Sequence, residues 1–168
     1  MKDSHQNITT EIYNLSAQQY KKSSENFVFP GWMFEYFIHE LSWQKILDVW
    51  CAFGRDVQKL RHLWYESYGI DISQNLINLS DNTIKKYLTL WDMSQLSDYY
   101  EHNSFSGVIC SAVIVHIDKH VAEWVLQSVF HILKTSGVFF LTLKVNISFN
   151  CRKTIKIIDN LYNCHSTQ

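Results

Sequence analysis

The chain has 168 residues, 46% hydrophobic and 15% aromatic with six tryptophans, which suits one packed globular domain and excludes a disordered segment. Its formal net charge of −1, without any dense Lys/Arg run, gives no nucleic-acid signal. No apolar run approaches the roughly 18 residues of a membrane span, the opening MKDSHQNITT has no apolar signal core, and Cys51, Cys110, Cys151 and Cys164 show no CxxC spacing, so a cytoplasmic, reduced protein is expected.

Residues 8–22 read as a helix with Ile12, Tyr13, Leu15 and Tyr20 as its apolar and aromatic positions. Pro30-Gly31 breaks the chain, and a helical pattern resumes over 32–41. From residue 45 the pattern alternates. Strand 46–50 leads to helix 55–66, with Val57, Leu60, Leu63 and Trp64 on one face. Strand 67–72, a short helix 76–79, strand 87–91 and a short helix 93–99 follow. A fourth strand lies within 107–115, then helix 121–133, a turn at Thr135-Ser136-Gly137 and an apolar strand over 138–143. A last helix is expected over 150–163. The chain divides into a helical cap (1–44), an α/β core (45–149) and a C-terminal helix and tail (150–168) within a single domain.

Continuous apolar strands separated by helices predict a mainly parallel, doubly wound α/β sheet of at least five strands, covered on both faces. Ligands of such sheets sit beyond the carboxyl ends of the strands, at the switch of strand order. Asp48, Asp71, Asp92 and Ser111 all fall at such ends. The stretch from Lys45 to Asp56 has the layout of a strand, a nucleotide-type loop and a helix N-terminus. A second acid, at Asp71, follows the first by 23 positions (48 to 71), the arrangement that holds a ribose.

Together these features resemble the class I S-adenosylmethionine-dependent methyltransferases over residues 41–144. Ile46-Leu47-Asp48 through Gly54-Arg55-Asp56 is similar to the first motif, usually Asp-x-Gly-x-Gly-x-Gly, with Trp50 and Ala52 at two of the three glycine positions. Gly69-Ile70-Asp71-Ile72-Ser73 resembles the second motif and Trp91-Asp92-Met93 the third. Residues 105–112 with Val115-His116-Ile117 resemble the fourth, and 133–141 the helix end and fifth strand.

The resemblance implies S-adenosylmethionine as cofactor and a small molecule or small exposed group as methyl acceptor. Asp48 and the loop Trp50, Ala52 and Gly54 would hold the cofactor's amino-acid end, Asp71 its ribose, and Asp92 with Met93 its adenine, with Ile72 as a further cofactor-binding position. Ser111 and Ala112 would line the floor near the sulfonium, and His116 would serve as general base. Asp92 also fits the cap of the next helix, and His116 also fits a purely structural place. The family continues past the fifth strand with a helix and a strand pair; that pair is expected to be missing, leaving a sheet edge for a second copy or a partner.

An alternative is a catalytically inactive relative serving as a partner or regulatory subunit, which the loop substitutions and short C-terminus favour. A nucleotide-dependent dehydrogenase fits less well, because the loop lacks the glycine pair that a pyrophosphate needs. His116 and His120 are four apart but have no third ligand, so no metal is expected. Cys51 and Cys110 are expected as buried free thiols, and Trp32, Trp43, Trp64 and Trp124 as core and cap packing.

Overall fold

A computed structural model describes residues 4–27, 31–41, 45–114, 117–143 and 153–157. Two helices, α1 (Ser4–Ser24) and α2 (Gly31–His39), precede the alternating part. There β1 (Lys45–Val49), α3 (Arg55–His62), β2 (Glu66–Asp71), α4 (Gln74–Asn78) and β3 (Leu88–Leu90) follow one another. The chain continues through α5 (Leu96–Tyr99), β4 (Phe105–Ser111), α6 (Lys119–Ile132), β5 (Leu133–Leu143) and β6 (Lys153–Ile157). The strands form one sheet in the order β3-β2-β1-β4-β5-β6, parallel except for β6. This is the expected doubly wound α/β fold. The order reverses between β1 and β4, so the switch point lies at the end of β1.

The two-residue period of each strand sorts its side chains between two cores. Leu47, Val49, Val108, Cys110, Phe139 and Leu141 face α5 and α6, joining Leu96, Val125, Val129 and Ile132. Ile46, Ile109, Val138 and Phe140 face the other way, against Phe34 and Phe37 of α2 and Leu60 of α3. Burying a side chain of this kind is worth about 1.5–3 kcal/mol. The sheet is therefore held from both sides.

Four local expectations change. Helix α3 stops at His62: the N–H groups of Leu63 and Trp64 fold back to Leu60 and Arg61, and Trp64 turns to φ 68. The Trp64 side chain is consequently 87% exposed, and Trp124 is exposed as well, so neither packs in a core. Trp43 and the side chain of Trp32 lie outside the described residues. The turn at 135–137 survives as an irregularity within β5, where pairing with β4 jumps from Phe105↔Leu133 to Gly107↔Val138 and Ser136 takes φ 63.

The helix expected over 150–163 is replaced, at Lys153–Ile157, by strand β6, antiparallel to β5 with Phe139↔Ile157 and Leu143↔Lys153 in register. The alternation Thr154-Ile155-Lys156-Ile157 has the period and β-branching of a strand rather than a helix. The edge of β5 expected to await a partner is thus occupied by the chain's own β6, and one of the strands expected to be missing is present. Residues 158–168 lie outside the described residues.

Candidate active site

The site begins with the loop between β1 and α3. Three alternate residues have left-handed backbones: Trp50 (φ 76), Ala52 (φ 53) and Gly54 (φ 80). They are the three glycine positions of the resembled motif, and their conformations explain why glycine is usual there. For a residue with a Cβ the left-handed region costs roughly 1–2 kcal/mol, so the loop keeps its shape at Trp50 and Ala52 against a local cost. What holds it is a set of hydrogen bonds. The N–H groups of Trp50 and Cys51 both donate to the Ile70 carbonyl at 2.8 Å, and Gly54 N–H donates to Cys51 O at 2.8 Å. Packing adds to them: a Cβ on Gly69 would stand 2.6 Å from Cys51 Sγ, so the bare glycine of β2 is what lets the loop lie flat on the sheet.

Asp71, the last residue of β2, is the second component. One carboxylate oxygen accepts from Ala52 N–H and the other from Ser73 N–H, each at 2.8 Å. It is 1% exposed. Burial drives its pKa up to about 6, while the N–H groups of Ser73, Ala52 and Ile72 pull it back down. Asp71 thus ties the first loop to the second. With the Ile72 N–H also directed at it, the carboxylate is held by the backbone of both loops and keeps acceptor capacity for a further donor.

Asp48 is buried beside it on β1, paired in register with Gly69 and Ile109. Its pKa is pushed well above the carboxylate range by burial and then by the neighbouring Asp56, against the pull of Arg55. Arg55 Nη2 donates to Asp56 at 2.7 Å, its Nη1 donates to the Ser24 carbonyl at 2.8 Å, and its guanidinium lies over the Phe27 ring. It is a cation beside Asp56 and Asp48, and it reaches the end of α1. Cys51 and Cys110 are buried free thiols whose pKa burial raises, that of Cys110 to about 12, which keeps them protonated and inert.

At the tip of β3, Trp91 N–H donates to the Asp71 carbonyl at 3.0 Å, bringing the third motif beside the second. Asp92 caps the following turn, accepting from Ser94 N–H at 2.9 Å and Ser94 Oγ at 2.8 Å. Met93 is buried in the core, so its main chain is the part that can meet a ligand there. Ile72 is half-buried at the end of β2. Ser111, at the end of β4, shares a 2.9 Å hydrogen bond with Thr142 Oγ1. The next residue, Ala112, has φ 56 and donates its N–H to Thr142 O at 2.9 Å and Oγ1 at 3.0 Å. His116 lies outside the described residues. Among those described, no group of three His, Cys, Asp or Glu is placed to hold a metal ion, and no helix is long and apolar enough to cross a membrane.

The expectations omitted the contribution of α1. Of the four positions assigned to its apolar and aromatic side, Ile12 and Leu15 point to solvent. Tyr13 and Tyr20 face the site together with Ala17, at helical spacing, packed on Ala52, Phe53 and Leu76. The Tyr13 ring meets Trp50 edge-on at 5.8 Å and Tyr20 at 5.6 Å. Thr142 was also missed, because it lies 31 residues from its partner Ser111.

The methyltransferase-domain family matches this chain over residues 46–137. An uncharacterised protein of Rickettsia prowazekii is 25% identical over 118 residues, which are 67% of this chain and 47% of that protein. The crystal structure of the PH0226 protein from Pyrococcus horikoshii is similar with a TM-score of 0.62 at 25% identity, over 79% of this chain and 65% of that one. A SAM dependent methyltransferase from Archaeoglobus fulgidus shares the fold at TM-score 0.60 and 18% identity, over 69% of this chain and 52% of its own. A putative methyltransferase from Haloferax volcanii, solved in complex with the Trm112 methyltransferase activator, also shares it at TM-score 0.62 and 15% identity, over 78% and 59% of the two chains. The chain thus spans about half the length of its curated relative and under two thirds of these structures.

Proposed function

The chain belongs to the methyltransferase-domain family of class I S-adenosylmethionine-dependent methyltransferases, and from that premise we propose that it binds S-adenosylmethionine across the tips of β1, β2 and β3 and methylates a small molecule or small exposed acceptor. One observation carries this reading. All three glycine positions of the first motif keep left-handed backbones, although only one is glycine, and the loop they form is bonded to Asp71. A fold with no use for the loop would relax Trp50 and Ala52 to ordinary φ values, so the retained shape supports a retained ligand.

The residues fit the cofactor in kind. The turned main chain of Trp50 to Gly54 and the first N–H groups of α3 suit a carboxylate, and Asp48 lies under the same loop. Asp71 would accept from the ribose hydroxyls. The main chain at Asp92 and Met93 would meet the adenine edge, with Ile72 beside it. Ser111 and Ala112 would form the floor, aligned by Thr142. When bound, the cofactor supplies a methyl group on an electrophilic sulfonium. The chain contributes little covalent chemistry; it holds donor and acceptor in line and excludes water. His116 would take a proton from an acceptor that carries one.

The partner-subunit alternative is favoured by one observation, the near-complete burial of Asp71. Calorimetry with S-adenosylhomocysteine separates the two. Binding that Asp71→Ala abolishes supports the enzyme reading; no heat at millimolar ligand overturns it in favour of the subunit. The Haloferax neighbour's complex with an activator makes co-purification with a partner protein the second experiment.

A further inference from the structure

We propose that α1 is a cap which must lift for the cofactor to enter, and that Asn14 is the positioning residue coupling its closure to Asp71; this rests on Asp71 being the ribose acceptor. Asn14 Oδ1 accepts from Ser73 Oγ at 2.7 Å and from Asn75 N–H at 3.1 Å. Asn75 Nδ2 returns a bond to the Asn14 carbonyl at 3.0 Å. Ser73 in turn gives its N–H to Asp71 at 2.8 Å, and the other Asp71 oxygen accepts from Ala52 N–H. An unbroken hydrogen-bonded path therefore runs from α1 through the start of α4 to the carboxylate and on to the first loop.

Further contacts close the cap. Lys21 Nζ donates to the Leu79 carbonyl at 2.8 Å and lies over the Phe53 ring, Arg55 donates to the Ser24 carbonyl, and Tyr13 stands edge-on against Trp50. With α1 down, Asp71 is 1% exposed, too little for two ribose hydroxyls to reach it. The apolar part of its docking is a narrow stripe: Ala17 is buried and the rings of Tyr13 and Tyr20 are half-buried beside it, while Ile12 and Leu15 face water. A single helix laid outside the sheet, held by polar bonds and one such stripe, opens at lower free energy than the core beneath it. The latch is therefore polar and sited where the ligand must arrive, and breaking it raises the fraction of open molecules.

The test is rapid mixing of the full chain with S-adenosylhomocysteine, followed by intrinsic tryptophan fluorescence. Asn14→Leu removes both acceptor bonds, and association and dissociation should each become about tenfold faster. Asn14→Asp keeps an acceptor oxygen in place and should restore both rates to within about twofold. Lys21→Met, which leaves Asn14 untouched, should accelerate both rates in the same sense. A residue that merely supported the fold would lower the melting temperature without accelerating entry. Unchanged rates in Asn14→Leu, with the unaltered chain binding normally, would overturn the cap alone. Failure of the unaltered chain to bind would overturn the cofactor reading and the cap together. Should Asn14→Leu not fold, Lys21→Met with unchanged rates refutes the proposal equally.

Discussion

Stability should fall as pH rises through the range where Asp71 ionises. Its carboxyl titrates at about 6 in the fold against 3.8 without it, mainly because burial disfavours the charge. Between those values the native protein holds a proton that the unfolded chain has released, so unfolding becomes easier as pH climbs. The loss begins near the unfolded value, is complete above about 6, and amounts to about 3 kcal/mol. Asp48 acts in the same direction, since its pKa is also raised by burial. Asp81, held below the usual carboxylate range by Thr83, acts oppositely, so the Asp71 contribution is isolated by comparison with Asp71→Asn. The amide cannot accept from both Ala52 and Ser73, which costs about 1–3 kcal/mol, but that cost does not vary with pH. Urea unfolding of both proteins from about pH 4 to about pH 8 should therefore give a stability difference, native minus variant, that declines by about 2.4 kcal/mol. A difference that stays level or increases would refute the assignment of the buried charge to Asp71.

Ribose hydroxyls donate to the ionised carboxylate, so the affinity for S-adenosylhomocysteine should rise with pH through about 6 and be about tenfold weaker one pH unit below it; calorimetry at several pH values reads this directly. Gly54→Ala should destabilise by 2 kcal/mol or more (order of magnitude), from about 1–2 kcal/mol of backbone strain plus overpacking, because φ is +80° and the new Cβ would stand 2.6 Å from Ile84 Cδ1 and 2.7 Å from Leu88 Cδ1; urea unfolding measures it. Thr142→Val deletes the hydroxyl shared by Ser111 and Ala112 N–H, and a loss of about 1–2 kcal/mol is expected, with nuclear magnetic resonance shifts confined to the tips of β4 and β5. Trp50→Gly should leave S-adenosylhomocysteine affinity within about threefold, since the backbone already has the glycine conformation; a gain above tenfold would mean that the indole occupies the ligand's place.

The alternation of strands and helices from residue 45 onwards was written in the sequence, because runs such as Ile46 to Val49 and Val138 to Leu143 are apolar on both faces, and only a sheet covered twice can bury them. The order of acids was legible too. Asp48, Asp71 and Asp92 each end an apolar run, and the parallel register brings the ends of β1, β2 and β3 side by side. Local patterns misled where a long-range contact decided the outcome. A helix was expected over 150–163, but the β-branched alternation of Thr154 to Ile157 meets the free edge of β5, and Lys153–Ile157 pairs there as an antiparallel strand. Only the tertiary structure decided what α1 does. Its sequence offers Ile12, Tyr13, Leu15 and Tyr20 as the apolar and aromatic positions, yet the face that docks is Tyr13, Asn14, Ala17 and Tyr20, chosen by the shape and polar groups of the loop after β1 and of α4. Strand and helix periods are properties of neighbouring residues and survive in isolation; a docking face is a property of two surfaces, and only the folded chain contains both.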